Sequence, residues 1–164
     1  MSNNWTDDLP EVLKTVQTRP LLVMRLDVKK LQIVGETPTG YRRVGVVPGG
    51  IFGGERLTGK VLDGGSDWQT LAHDGATHLD VRLVLKTDDD VLIGMKYKGR
   101  RYGSPEILSR IDNGEVVDPN NYYFRILPVF ETSGSAYLWL NHLVAVGVGH
   151  RLSDGPVYSV FEVL

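Results

Sequence analysis

The sequence predicts an all-β chain folded as one antiparallel sandwich or barrel. Three observations carry this. Apolar and polar residues alternate with period two over most of the chain, glycine-rich punctuation separates the alternating runs, and a single segment carries helix signals. At 164 residues the chain is one domain of ordinary size, long enough to bury a core without staples.

The elements follow in order. Residues 1–18 are polar and read as a flexible N-terminal arm before a domain over 19–164, with Trp5 or Leu9 as the side chains that would dock it. In LLVMRLDVKKLQIV (21–34), Leu22, Met24, Leu26 and Val28 share one face while Arg25, Asp27 and Lys29 share the other, the mark of a half-buried strand. GYRRVGVV (40–47) and ERLTGKVL (55–62) read as two more, and Gly49, Gly50, Gly53 and Gly54 between them read as a turn or bulge. THLDVRLVLK (77–86), the acidic turn TDDD and VLIGMKYKG (91–99) form a predicted hairpin.

One helix is expected at about 105–113. Ser104 suits the N-cap, Pro105 the first helical position, Glu106 the positive end of the dipole, and Gly114 the C-terminal stop. YYFRILPVFE (122–131), AYLWLNHLVAVGVG (136–149) and, past the loop HRLSDGP, VYSVFEVL (157–164) complete eight strands. Close strand spacing with glycine-rich turns indicates a sandwich or barrel.

Composition narrows the chemistry. There is no cysteine, hence no disulfide, thiolate nucleophile or Cys-ligated metal. Lys plus Arg number 18 against 20 Asp plus Glu, so no global field draws in nucleic acid or an anionic membrane. No run approaches the roughly 18 apolar residues of a membrane span, and MSNNWTDDLP lacks the pattern of a signal peptide. A cytoplasmic protein is the expectation. His73, His78, His142 and His150 lack metal-site spacing, no G-x-S-x-G elbow is present, and GGIFGG precedes a strand pattern and not a helix.

Polar residues set among large apolar ones are the candidates for a site. On strand 77–86, His78, Asp80 and Arg82 share one face and Leu79, Val81, Leu83 and Leu85 the other. Either the charges face solvent as a weak surface pair, or they face a barrel interior, where buried charge must be paired and usually serves a purpose. Arg125 alternates with Tyr122, Phe124 and Ile126, and Asn141 shares a face with Trp139 and Tyr137. Mostly apolar walls with a few placed polar groups are what a small-molecule pocket needs.

A resemblance now joins these residues. Gly40-Tyr41-Arg42, then GGIFGGERLTGKVLDGGSDW, LDVR, a helix ending in NGE, DPNNYYFR, FET, YLWLN and VYSVFEV, in that order, resemble the family grouped as domain of unknown function 3237, or UPF0311. The likeness runs from about residue 20 to the end. Ser66 and Val81 stand where the family pattern has Ala, and DDDV where DDGA is commoner. The resemblance implies a single antiparallel eight-stranded barrel, lipocalin or calycin-like, with one short helix and a cavity at its centre.

In such a barrel GGSDW would be a mouth segment, with Trp68 walling the cavity and Asp67 presenting a carboxylate to its rim; or Asp67 caps a turn and Trp68 plugs the barrel end. The expected chemistry is cofactor-free acid–base catalysis on an aromatic or polyketide-like carbonyl compound: an isomerase, cyclase, lyase or conjugate addition. Asp80 or Asp67 would be the acid or base, Arg82 or Arg125 the oxyanion partner, and Tyr97, Tyr122, Trp68 and Trp139 the walls, with Tyr97 also able to donate a proton. The rival reading is a non-catalytic carrier of a hydrophobic ligand oriented by Arg125 and Asn141; a third is a closed structural network of Asp80, Arg82 and Arg125. The expected partner is a small organic ligand. A homodimer is tied to the inward placement of Asp80, which would leave Leu79, Val81, Leu83 and Leu85 outside and in need of cover.

Overall fold

The alternating runs become strands that close on themselves. In a computed structural model, which describes residues 6–28 and 30–164, they form one continuous antiparallel sheet. β1 (Thr18–Asp27) and β2 (Lys30–Thr37) are two parts of one strand; β3 (Gly40–Val47) and β4 (Gly49–Gly53) are two halves of a strand broken at Pro48; β5 (Thr58–Val61) and β6 (Gly65–Leu71) are two halves of another. β7 (Thr77–Thr87), β8 (Leu92–Tyr102), β9 (Tyr123–Glu131), β10 (Ala145–Leu152) and β11 (Gly155–Val163) follow as single strands. With these halves joined, each strand pairs with its neighbours in sequence. β3 and β4 pair with β2 and β1 on one side and with β6 and β5 on the other, and β5 and β6 share one edge of β7. β1 against β11 closes the barrel. Counted as continuous strands there are eight, as expected.

The parity of β7 settles the two readings of its charges. Leu79, Val81, Leu83 and Leu85 are buried, and Asp80 and Arg82 are exposed on the outer wall. Opposite them Ile93, Met95 and Tyr97 of β8, Phe124 and Ile126 of β9 and Met24 and Leu26 of β1 are also buried. Burying apolar side chains contributes roughly 25 cal/mol per Å², whereas a charge in the same place must be paired. The inward placement of Asp80 and Arg82 is therefore corrected. The argument for a homodimer loses its premise with it, since the leucine face needs no cover. The expected central cavity is filled by these side chains. Gly149 of β10 helps by its missing side chain: a Cβ there would lie 2.7 Å from Cδ1 of Phe124, so the ring packs directly on the backbone.

Five segments differ from expectation. The predicted turn at 49–54 holds β4, and the predicted 55–62 strand shortens to β5. The supposed mouth loop around GGSDW is β6, which pairs with both β3 and β7. AYLWLNH is not a strand but lies in a 3-10 helix, Ser135–His142, over the end of the barrel where β9 finishes. Finally, HRLSDGP is mostly strand, with only Ser153 and Asp154 in the turn.

The helix is as predicted. α1 spans Pro105–Asp112, the Ser104 hydroxyl accepts from the Ile107 N–H at 3.3 Å, and Gly114 just past its end has φ +85°. Its buried Ile111 turns it toward the barrel end to which β6, β8 and β10 run. The described part of the N-terminal arm is exposed apart from half-buried Leu9 and carries one 3-10 turn, Glu11–Leu13; Trp5 lies outside the described residues.

Candidate functional site

β6 inverts the usual pattern by pointing polar residues inward. Its inward set is Gly65, Asp67 and Gln69, and its outward set includes Trp68, which is 48% exposed. Register with β3 places Gly45 opposite Asp67 and Arg43 opposite Gln69. Arg43 Nε donates to Gln69 Oε1 at 2.7 Å, and Gln69 Nε2 donates to Asp67 Oδ2 at 2.6 Å. The chain of contacts continues into α1, whose Asp112 Oδ1 accepts from Arg43 Nη2 at 3.1 Å and from Arg101 Nη2 at 3.4 Å. α1 is thus tied to the barrel rim through two arginines.

Arg101, near the end of β8, is buried, and its guanidinium lies 5.7 Å from the Phe124 ring centroid. Arg151, near the end of β10, lines the same end of the lumen. Tyr122 helps to position it: the phenol oxygen accepts from the Arg151 backbone N–H at 2.9 Å and hydrogen-bonds His150 Nδ1 at 3.0 Å. Below the arginines Tyr158 of β11 meets Tyr97 and Phe124 edge-on, with ring centroids 5.4 Å apart in both pairs.

Asp67, Gln69, the three arginines, Asp112, Phe124 and Tyr158 line a cavity of about 60 Å³. Among the described residues three buried side-chain atoms lack a hydrogen-bond partner: Asp67 Oδ1, Arg101 Nε and the Tyr158 hydroxyl. All three residues line this cavity. The Tyr97 hydroxyl acts on the Tyr158 phenol and pulls its pKa down, a smaller effect than burial. An unmet buried polar group costs about 1–3 kcal/mol, so three in one place call for an explanation, and a site for a ligand oxygen is one.

Burial and charge move two groups of the site from their ordinary pKa values. Burial pushes the Asp67 carboxyl up to about 6, against the opposing pull of Gln69 and of Arg101, Arg43 and Arg151. Burial first, and the Asp67 charge second, hold the Tyr158 phenol far above its ordinary value, so it stays protonated as a donor. Three arginines face two carboxylates, Asp67 and Asp112, leaving the cluster with an excess of positive charge that suits an oxyanion. Among the described residues no group of three or more His, Asp or Glu is arranged to hold a metal ion.

The family profile described as "Protein of unknown function (DUF3237)" matches residues 16–163. The chain belongs to this DUF3237 family. A UPF0311 protein of Rhodopseudomonas palustris is 33% identical over 150 residues, covering 92% of this chain and 98% of its own. Another, from Clostridium acetobutylicum, is 30% identical over 152 residues, or 92% and 96% of the two chains. In three dimensions the DUF3237 barrel is similar to the R. palustris protein of unknown function, at a TM-score of 0.89 and 33% identity, covering 92% of this chain and 99% of that one. It is also similar to a β-barrel-like protein from Acinetobacter baumannii, at 0.80 and 39%, covering 92% and 97%. An enzyme from Penicillium herquei shares the fold at 0.71 and 18% identity, over 95% and 100% of the two chains.

Of the residues singled out from the sequence, the DUF3237 barrel brings Asp67 into the lumen, with Tyr97 buried deeper and Tyr122 supporting Arg151. Trp68, Asp80, Arg82 and Arg125 lie on the outer wall. Trp139 sits in the 3-10 helix under the guanidinium of Arg56, 3.9 Å from its centroid. Asn141 is a clamp: its side chain accepts from the Thr132 N–H at 2.8 Å and donates to the Thr132 carbonyl at 2.9 Å. Sequence reading missed Gln69, Arg43, Arg101, Arg151 and Tyr158. The signal for Arg101 was present, since it has the parity of Ile93, Met95 and Tyr97, but the strand was ended at Gly99.

Proposed function

We propose that this protein binds a small organic molecule at the helix-covered end of its barrel and acts on it by cofactor-independent acid–base chemistry, with Asp67 as the proton-transferring group. The observation that carries the reading is the convergence of three unpartnered buried polar groups, Asp67 Oδ1, Arg101 Nε and the Tyr158 hydroxyl, on one cavity. A carboxyl poised at about 6 is matched to proton transfer near neutral pH. Arg101 and Tyr158 are donors for an oxygen on which negative charge develops, as in enolate or phenolate formation. Gln69 holds one oxygen of Asp67 and leaves the other for the substrate. The class of substrate that fits is an aromatic or polyketide-like carbonyl compound, and the reaction an isomerisation, cyclisation, elimination or conjugate addition. At about 60 Å³ the cavity takes the oxygen-bearing end of such a molecule, and entry of more requires α1 to shift. The fold shared with an enzyme of P. herquei is in keeping with catalysis in such a barrel.

The test is a panel of aromatic and enone carbonyl compounds, with and without carboxylates, assayed by calorimetry for binding and by chromatography for turnover. Asp67→Asn should keep binding and lose about 10²–10⁴-fold in rate, and Arg101→Gln should weaken binding. Full turnover by Asp67→Asn would sink the assignment. Ligands that bind but are never converted would favour a carrier.

A further inference from the structure

Three residues that the sequence marks for chemistry, Trp68, Asp80 and Arg125, have no place in the lumen, yet they stand together. They line a groove of about 610 Å³ on the outer wall, crossing β6, β7, β8 and β9. Register explains its composition. One cross-strand row runs Trp68, Asp80, Lys98, and the next runs Arg42, Thr70, His78, Arg100, Arg125.

The groove is cationic with aromatic sides. Arg42, Lys98, Arg100 and Arg125 face a single carboxylate, Asp80, although the whole chain carries a net charge of −2. Arg42 lies 5.7 Å from the Trp68 ring centroid, and Arg125 lies 4.8 Å from that of Tyr123, which also lines the groove. Arg100 Nη1 is 2.8 Å from His78 Nε2. Arginine has no acceptor, so in this bond the guanidinium donates to the imidazole and is oriented by it. Each end of the groove therefore pairs a flat π surface with a guanidinium held beside it, and more cations lie between.

We propose that this groove is a binding site for a planar aromatic ring carrying a phosphate, a ligand of mononucleotide size. Its volume falls in the range of small-molecule sites, roughly 300–1,000 Å³. Guanidinium pairs match phosphate geometry with two parallel hydrogen bonds, and stacking on an aromatic face contributes about 1–3 kcal/mol per base. A phosphate carries about −1.5 to −2 charges at neutral pH, which offsets roughly half to two-thirds of the cation excess that one carboxylate leaves. The site is independent of the lumen chemistry, because Asp67 faces the other side of the same sheet, although Leu79 contributes to the walls of both cavities.

The experiment is calorimetric titration of the protein at low salt with AMP, with inorganic phosphate alone and with adenosine alone. The proteins compared are wild type, Arg100→Gln/Arg125→Gln, Trp68→Ala and Asp67→Asn. The substituted groove residues are exposed, so both groove variants should melt like wild type. AMP should bind saturably, at least about tenfold more weakly in either groove variant and with unchanged affinity in Asp67→Asn, a tenfold change being about 1.4 kcal/mol. Phosphate and adenosine should each bind more weakly than AMP. The proposal is overturned by no saturation up to about 5 mM AMP, a range that covers millimolar dissociation constants. It is equally overturned if both groove variants keep wild-type affinity, if binding is lost in Asp67→Asn, or if phosphate binds as tightly as AMP. A single-stranded oligonucleotide binding more than tenfold tighter than AMP would assign the groove to nucleic acid instead.

Discussion

Gln69 turns its side-chain amide to Asp67, two residues away on the same strand, and holds one carboxylate oxygen at 2.6 Å while the other stays buried and without a partner. The amide is itself held by Arg43, so its nitrogen must face Asp67. A carboxyl kept in this way has one oxygen fixed and one available.

The raised pKa has a cost in stability that depends on pH. Asp67 binds its proton more tightly in the folded protein, to about 6, than at the ordinary value of 3.8. Its contribution is therefore fully favourable below about pH 4 and is lost as pH rises through about 6, by roughly 3 kcal/mol at most. Asp67→Asn removes this dependence. Urea unfolding of both proteins should show the variant gaining on the wild type between pH 4 and 7; a constant difference across that range would contradict the burial of a titrating Asp67.

Arg101 lowers the Asp67 pKa that burial raises. Arg101→Gln should move the Asp67 titration to higher pH, read from the side-chain carboxyl signal by carbon NMR. Arg82→Gln, on the outer wall, should leave that titration unchanged and alter stability by no more than about 0.5 kcal/mol.

Gly149→Ala introduces a methyl group 2.7 Å from the Phe124 ring. Either the ring or β10 must move, at about 1–3 kcal/mol. Since Phe124 lines the small cavity with Asp67, the variant should also bind any lumen ligand more weakly. Chemical denaturation and calorimetry measure the two effects separately.

Asn141→Ala should cost about 1–2 kcal/mol by leaving the Thr132 backbone groups without their clamp. Binding at the opposite, helix-covered end should be unaffected. A selective loss of binding with unchanged stability would return Asn141 to a ligand-contacting role.

Much of the barrel was legible because apolar alternation identifies the face that enters the core. β3, β7, β8 and β9 were placed to within a few residues on that signal, and α1 from Ser104, Pro105 and Gly114. β6 was missed for the same reason that it matters: Gly65, Asp67 and Gln69 face inward and Trp68 outward, so hydropathy assigns the faces wrongly and the glycines suggest a loop. AYLWLN was misread because a short apolar run fits strand and helix alike. Asp67 entered the site from sequence, whereas Arg43, Arg101 and Arg151 converge only through strand register and barrel closure, and neither is written in local composition.

Barrel closure has a kinetic side. With the broken strands joined, every seam links strands adjacent in the chain except that between β1 and β11. Hairpins such as β7 with β8 can form early, but the last seam must gather almost the whole domain, against loop entropy, before it contributes anything. Until then the open sheet exposes two complementary edges, and β11 of one molecule can pair with β1 of another. Refolding yield is therefore expected to fall with protein concentration, and the lost material to include strand-exchanged dimers.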